Sequence, residues 1–187
     1  MGRKVDAFCF VVGLLAVAGV LVMAFAVVVP VQVTVDEAYL GRLTLAGPGN
    51  GTPASLAYNL SLMVTVHNCN WAMSVRRTAP LDFELRFAGR PFTRFRLAGA
   101  ADSDRIRRST MATDSFSVAG EVALGRHGAA EFARERASGV FELELIVAGE
   151  FKYQAHFHSH SLRVICPLTL SISTPTLPAP FAGVKCT

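Results

Sequence analysis

The sequence predicts an all-β fold, an antiparallel two-sheet sandwich with one short helix, preceded by a single N-terminal transmembrane helix. Three observations carry this expectation: an uninterrupted apolar run from Ala7 to Val29, period-two alternation through most of the chain beyond it, and turn residues that cut the alternation into strand-sized pieces. Residues 1–6 then form a cytosolic stub, residues 7–29 the membrane helix and residues 30–187 the outer domain.

The apolar run holds 23 residues without a charge, an amide or a hydroxyl. At about 1.5 Å per residue a helix of that length crosses a ~30 Å hydrocarbon core with some tilt. Arg3 and Lys4 precede it, and Asp36 and Glu37 come after it. Basic residues on the N-terminal side hold that end in the cytosol and send the rest of the chain across. A cleaved secretory signal is the competing reading, because Ala24-Phe25-Ala26 presents the small residues that signal peptidase reads. Against cleavage, the apolar stretch is longer than a usual signal core, and Val27-Val28-Val29-Pro30-Val31 makes a poor mature N-terminus. Both readings put the folded part in an oxidising compartment.

Beyond the helix, Val31, Val33 and Val35 alternate with Gln32, Thr34 and Asp36, and Leu43 and Leu45 continue the pattern. After the turn-rich stretch Gly47 to Pro53, one face of a strand carries Tyr58, Leu60, Leu62, Val64 and Val66. Past the corner Asn68-Cys69-Asn70-Trp71, Leu81, Phe83, Leu85 and Phe87 alternate with Asp82, Glu84 and Arg86. Gly89-Arg90-Pro91 marks a turn into a strand from Phe92 to Leu97, Ala98 to Arg108 reads as a polar loop, and Thr110 to Leu124 holds at least one strand. Ala129 to Ala137 reads as the helix, stopped by Gly139. The last hairpin pairs the row Phe141, Leu143, Leu145, Val147 with the row Phe151, Tyr153, Ala155, Phe157. Parity demands an odd loop, Ala148-Gly149-Glu150, which sets Val147 opposite Phe151 and Phe141 opposite Phe157. About seven to nine antiparallel strands of this spacing favour a sandwich over a barrel.

The chain carries 18 basic and 14 acidic residues, a net charge of +4. Between residues 76 and 108 stand nine arginines, Arg76, Arg77, Arg86, Arg90, Arg94, Arg96, Arg105, Arg107 and Arg108, against Asp82, Glu84, Asp102 and Asp104. Outside the cytosol such a patch meets anionic lipid, acidic polysaccharide or an acidic protein rather than nucleic acid. Cys9 lies in the apolar run. Of the three outer cysteines, Cys166 and Cys186 would close a loop of about 20 residues, a crosslink contributing on the order of 3 kcal/mol. Sequence alone permits three pairings among Cys69, Cys166 and Cys186.

His156, His158 and His160 recur at every second position, so on one strand their rings share a face, a pattern that suits zinc or copper. The hairpin register sets Glu142 opposite His156 and Val140 opposite His158, which makes the same face a charge-balanced polar surface. With no cysteine or carboxylate completing a ligand set, no metal or cofactor is expected. Sequons stand at Asn50-Gly51-Thr52 and Asn59-Leu60-Ser61, candidate glycosylation sites at Asn50 and Asn59. No nucleophile elbow, phosphate loop or H-E-x-x-H motif occurs, so no catalytic residue is assigned and the chain is read as non-enzymatic.

The order of these pieces resembles a plant family. A basic stub and single span precede Val33-Thr34-Val35-Asp36-Glu37-Ala38-Tyr39-Leu40. Tyr58-Asn59-Leu60-Ser61-Leu62 then runs into Val66-His67-Asn68-Cys69-Asn70-Trp71, and the end reads Val164-Ile165-Cys166-Pro167-Leu168 with a late Lys185-Cys186. This is similar to the harpin-induced-like and non-race-specific disease-resistance-like proteins, whose outer part is the water-stress and hypersensitive-response domain of the second late-embryogenesis-abundant group. Where that family usually has Asn-Pro-Asn, this chain has Asn68-Cys69-Asn70, a thiol in place of the stiffening proline. The resemblance implies a fibronectin type III-like or immunoglobulin-like sandwich at the plasma membrane, N-terminus cytosolic and C-terminal domain extracellular. It implies a role in defence and stress response, a Cys166 to Cys186 bond, and partners drawn from cell-wall polysaccharide, anionic lipid or receptor protein. The alternative is a secreted ligand-binding or desiccation-protective domain released by cleavage near Ala26.

Overall fold

Alternation in the sequence becomes alternation in burial in the computed structural model, which describes residues 2–46, 54–97, 105–173 and 179–187. Helix α1 (Gly2–Ala26) is followed by β1 (Gln32–Ala46), β2 (Ser55–His67), β3 (Val75–Arg77), β4 (Leu81–Phe87), β5 (Arg90–Leu97), β6 (Arg105–Ile106) and β7 (Met111–Ala123). Helix α2 (Arg126–Ser138), β8 (Val140–Tyr153), β9 (His160–Ser171) and β10 (Val184–Lys185) complete the order. That is ten strands among the described residues, above the expected seven to nine. The surplus lies in β3, β6 and β10, which at two or three residues are too short to show a period.

Helix α1 stops at Ala26, three residues before the apolar run does. Val29 precedes Pro30, whose ring disfavours helical backbone at the residue before it, so the chain leaves the helix before the proline. Every residue from Phe8 to Met23 is exposed, and no other described element covers this apolar helix.

One antiparallel sheet runs β10-β1-β2-β7. In the other, β8 is central: β9 pairs along one edge, and β4 followed by β3 shares the opposite edge, with β5 beyond β4 and β6 beyond β3. The predicted rows face inward as expected. Tyr58, Leu60, Leu62, Val64 and Val66 are buried on β2, and Leu81, Phe83, Leu85 and Phe87 on β4. Strand β1 pairs with β2 across its length with two bulges, near Asp36 and Gly41, each of which shifts the parity by one. Its buried residues are therefore Val33 and Val35, then Leu40, then Leu43.

The two sheets are joined at one side by the C-terminal strap. β10 pairs with β1, and the Cys186 N–H donates to Val33 O at 3.0 Å; Thr187 and Ile165 of the facing sheet exchange backbone hydrogen bonds of 2.7 and 3.0 Å. Cys166 of β9 and Cys186 are disulfide-bonded, with Cα atoms 4.3 Å apart. On the opposite side Arg77 of β3 reaches Asp114 of β7 at 2.8 Å, and Phe83, Phe95 and Phe116 form a cross-sheet ring cluster with centroids 4.6 to 5.1 Å apart.

The expected final hairpin is corrected. Strand β8 runs through Ala148-Gly149-Glu150 without turning, so Val147 lies opposite Val164 rather than Phe151, and Phe151 lies opposite His160. Glu142 lies opposite Thr169, not His156. An odd loop and an unbroken strand preserve the same parity, so alternation could not tell them apart. Gly149 serves close packing rather than a turn: the Leu81 side chain fills the space its Cβ would need. The turn instead covers 154–159, which takes His156 and His158 off any strand and leaves Phe157 92% exposed rather than in the core. The β4-β5 turn also falls earlier than expected, at Ala88 and Gly89, both at positive φ (49° and 71°), a two-residue hairpin turn. Helix α2 extends the expected helix by three residues at its start and one at its end. Gly139 closes it at φ 74°, its N–H donating to Glu135 O and Arg136 O. Phe132 packs α2 onto Phe141 of β8, ring centroids 5.7 Å apart.

Candidate functional site

Two regions collect the residues that the sequence singles out: the outer face of the β4-β5-β8-β9 sheet, and the end of the sandwich at which α1 leaves.

On the outer face, alternation turns Asp82, Glu84 and Arg86 of β4 away from the core, and register brings Arg94 and Arg96 of β5 opposite Glu84 and Asp82. The ion pairs result from that register. Arg96 Nε donates to Asp82 Oδ1 at 2.5 Å, Arg94 Nε to Glu84 Oε2 at 2.7 Å, and Arg86 Nε to the other Glu84 oxygen at 2.6 Å. The Arg96 hydrogen bond holds the Asp82 carboxyl below its ordinary range, and Arg86 first, then Arg94, does the same for Glu84. The strands continue this face with Glu142, Glu144, Ile146 and Ala148 of β8, and with Arg163 opposite Ala148 on β9. Three of the expected cationic contacts, Arg86, Arg94 and Arg96, therefore meet carboxylates already in place. A hollow of about 490 Å³ lies between Asp82, Glu84, Arg94, Arg96, Ile146 and Arg163.

Arg90 is not part of that network; it starts β5 beside Gly125, at the opposite end of the sandwich from α1. Arg105, Arg107 and Arg108 belong to the α1 end. Arg105 donates to Ser74 Oγ at 2.9 Å and Gln154 Oε1 at 3.2 Å, two uncharged acceptors. With Arg76, Lys152 and Tyr153 these residues line a hollow of about 290 Å³. Arg107 and Arg108 are exposed.

The corner Asn68-Cys69-Asn70 organises this end. Asn68 Oδ1 accepts from the Asn70 N–H at 3.1 Å, closing an Asx turn that needs no proline. Asn68 Nδ2 donates to Met73 O and Arg107 O, both at 2.9 Å, and the Ser109 N–H donates to Asn70 O at 3.1 Å, so the corner also holds the 107–110 turn. Asn70 clamps the exit of α1: its Oδ1 accepts from the Val29 N–H at 2.9 Å and its Nδ2 donates to Val29 O at 2.7 Å. Two residues on, the Val31 N–H donates to the Tyr153 hydroxyl at 3.2 Å, and burial pushes the Tyr153 phenol above its usual range. Both asparagines are buried, as this many satisfied polar atoms allow.

His156 Nε2 lies 3.1 Å from Phe25 O, and the rings of His156 and His160 stand 5.9 Å apart beside Tyr153. His158 joins no ring contact among the described residues. Nowhere among those residues do three His, Cys, Asp or Glu side chains converge as a metal site. Asn59 is exposed on the outer face of β2, open to a glycan, while Asn50 lies outside the described residues. Cys69 is a free, half-buried thiol, and Cys9 is a free, exposed one.

The Val29 clamp has no signature in the sequence, because its partners are 41 residues apart and the groups of Val29 that it holds are backbone ones. The exposure of Trp71, at 64%, has only a faint one, its place directly after a turn.

These features define an all-β sandwich led by an exposed apolar helix. No family model matches the chain, and no curated protein does. Among solved structures, an X-ray structure of a Northeast Structural Genomics Consortium target covers 78% of this chain and 86% of its own at 12% identity, with a TM-score of 0.43. A crystal structure of a protein from Archaeoglobus fulgidus covers 74% of this chain and 98% of its own at 7% identity, with a TM-score of 0.35. Neither likeness bears on function.

Proposed function

We propose that this chain is a non-enzymatic, single-pass membrane protein that holds a β-sandwich interaction domain against the outer face of the plasma membrane, N-terminus in the cytosol. The observation that carries the reading is α1 itself: an apolar helix bare of protein contacts from Phe8 to Met23 has no place in water.

The resemblance to the harpin-induced-like and disease-resistance-like plant proteins supplies the biological side, a role in defence and stress response through a cell-wall, lipid or protein partner. The fibronectin type III-like or immunoglobulin-like class is part of the same reading, supported by the two packed antiparallel sheets. Supporting a binding role over catalysis, the two carboxylates beside the hollow on the outer face of β4 and β5, Asp82 and Glu84, are both engaged by arginines.

A secreted domain, cut near Ala26, is the second reading. It is favoured by one observation: Val29 and Val31 dock on the sandwich by contacts that a chain starting at Val27 would keep. Alkaline carbonate extraction of membranes from cells expressing the full chain separates the two. Retention in the pellet, with the sandwich open to protease from outside, is the expected result. Complete release into the supernatant would refute the anchor.

A further inference from the structure

At the end of the sandwich where α1 leaves, three loops bring exposed apolar side chains to the same level: Trp71 after the asparagine corner, Met111 at the start of β7, and Phe157 in the 154–159 turn. Their exposures are 64%, 58% and 92%. Topology places them together. Gln32 opens β1 opposite His67, which lies opposite Met111; in the facing sheet Val75 lies opposite Tyr153, just before the turn that carries Phe157. Arg107 and Arg108 stand exposed in the turn that leads to Met111.

We propose that this rim is a membrane-interface seat: Trp71, Met111 and Phe157 enter the headgroup layer of the bilayer that holds α1, and Arg107 and Arg108 contact anionic lipid phosphates. The proposal rests on the reading of α1 as a retained anchor.

Reach is the first argument. Three residues take the chain from Ala26 to Val29, and extended chain covers about 3.5 Å per residue, so Val29 lies within about 10 Å of the helix end, with Asn70 Oδ1 2.9 Å from its N–H nitrogen. The interfacial layer beyond the hydrocarbon is itself roughly 5 to 8 Å deep on each side. His156 comes closer still, with Nε2 3.1 Å from the carbonyl of Phe25 in the last turn of the helix. The 154–159 turn, which carries His156, is therefore at headgroup level when α1 spans the bilayer.

Chemistry is the second. Tryptophan has an amphipathic ring that favours the headgroup level, and exposed apolar side chains are informative where, as with Trp71, Met111 and Phe157, they fall at one end of the molecule rather than singly. Cations beside them match phosphates. A protein partner would fit apolar side chains as well, but it would not explain why they gather around the exit of an apolar helix.

Asn68 and Asn70 make the rim rigid. Asn68 fixes the 107–110 turn through Arg107 O, and Asn70 fixes the angle of the exit by gripping both polar atoms of Val29. The sandwich is thus presented in one orientation rather than swinging on a linker.

Trp71 is the sole tryptophan of the chain, so it reports alone. The full chain is reconstituted in vesicles of phosphatidylcholine and phosphatidylglycerol, with or without bromine on the upper acyl carbons, and floated to isolate bound protein. The seat predicts that bromine quenches most of the Trp71 emission, that Phe157→Ser with Met111→Ser reduces the quenching, and that Arg107→Glu with Arg108→Glu reduces it only when the anionic lipid is present. Protein that floats with the vesicles but keeps its full Trp71 emission overturns the seat and leaves the anchor standing. Protein that fails to float overturns the anchor, and the seat with it. Circular dichroism of each variant, expected to match the parent, separates lost seating from lost folding.

Discussion

Replacing Asn70 by alanine removes two hydrogen bonds to Val29 and one to Asn68 Oδ1; the Val29 N–H and C=O lose their partner, while Asn68 Oδ1 keeps the backbone N–H of residue 70. At about 1 kcal/mol for each bond, the variant should lose about 3 kcal/mol in urea unfolding, whereas Asn59→Ala on an exposed strand face should change little. Glu135 supplies a pH test. It is buried beneath α2, accepts the Glu142 N–H at 3.2 Å, and has its pKa raised, first by burial. A carboxyl whose folded pKa is raised favours folding in its neutral form, so its contribution is present below the ordinary carboxylate range and lost as pH rises through the raised value. Glu135→Gln should therefore melt above the parent at neutral pH, with the two converging as the solution is acidified. At this scale the sequence exposed the residue types but not their pairings. The arginines at 86, 94 and 96 read as a cationic face, because their carboxylate partners are set by strand register and not by spacing along the chain.

Among the elements, the apolar rows of the strands with strict alternation were legible, as β2 and β4 show, although β2 also buries Thr65 on its other face. The failures have specific causes. β1 bends its own period at two bulges, and β8 passes through a Gly149 that looks like a turn while keeping its parity. A direct check is Gly149→Ala. In a loop the change is harmless or mildly stabilising, but here the new methyl meets Leu81 in the core, so overpacking should cost about 1 to 3 kcal/mol by denaturant unfolding. The outer face of β4 and β5 carries a functional prediction. Arg94→Glu with Arg96→Glu sets like charges beside Glu84 and Asp82 and should abolish retention of the protein on acidic pectin. Equal retention of variant and parent would remove this face from consideration as a polyanion contact.

Across the whole molecule, the C-terminal strap and the Val29 clamp both act on the chain around the start of β1. The strap closes the two sheets at one side through β10, the Ile165 to Thr187 pair and the Cys166 to Cys186 bond, which spans a sequence separation of 20. Double replacement of the cysteines by alanine should cost about 3 kcal/mol, read as the same loss that reductant causes in the parent and none further in the variant. The clamp ties the sandwich to the chain leaving α1, and under the proposed anchor it would turn Trp71 and Phe157 towards the bilayer. The stance at the membrane depends on α1 staying with the sandwich in the mature protein. Intact-mass spectrometry of the protein purified from its native membranes decides that point. The account predicts a mature chain that still contains residues 7–29, and a chain that begins near Val27 would contradict it.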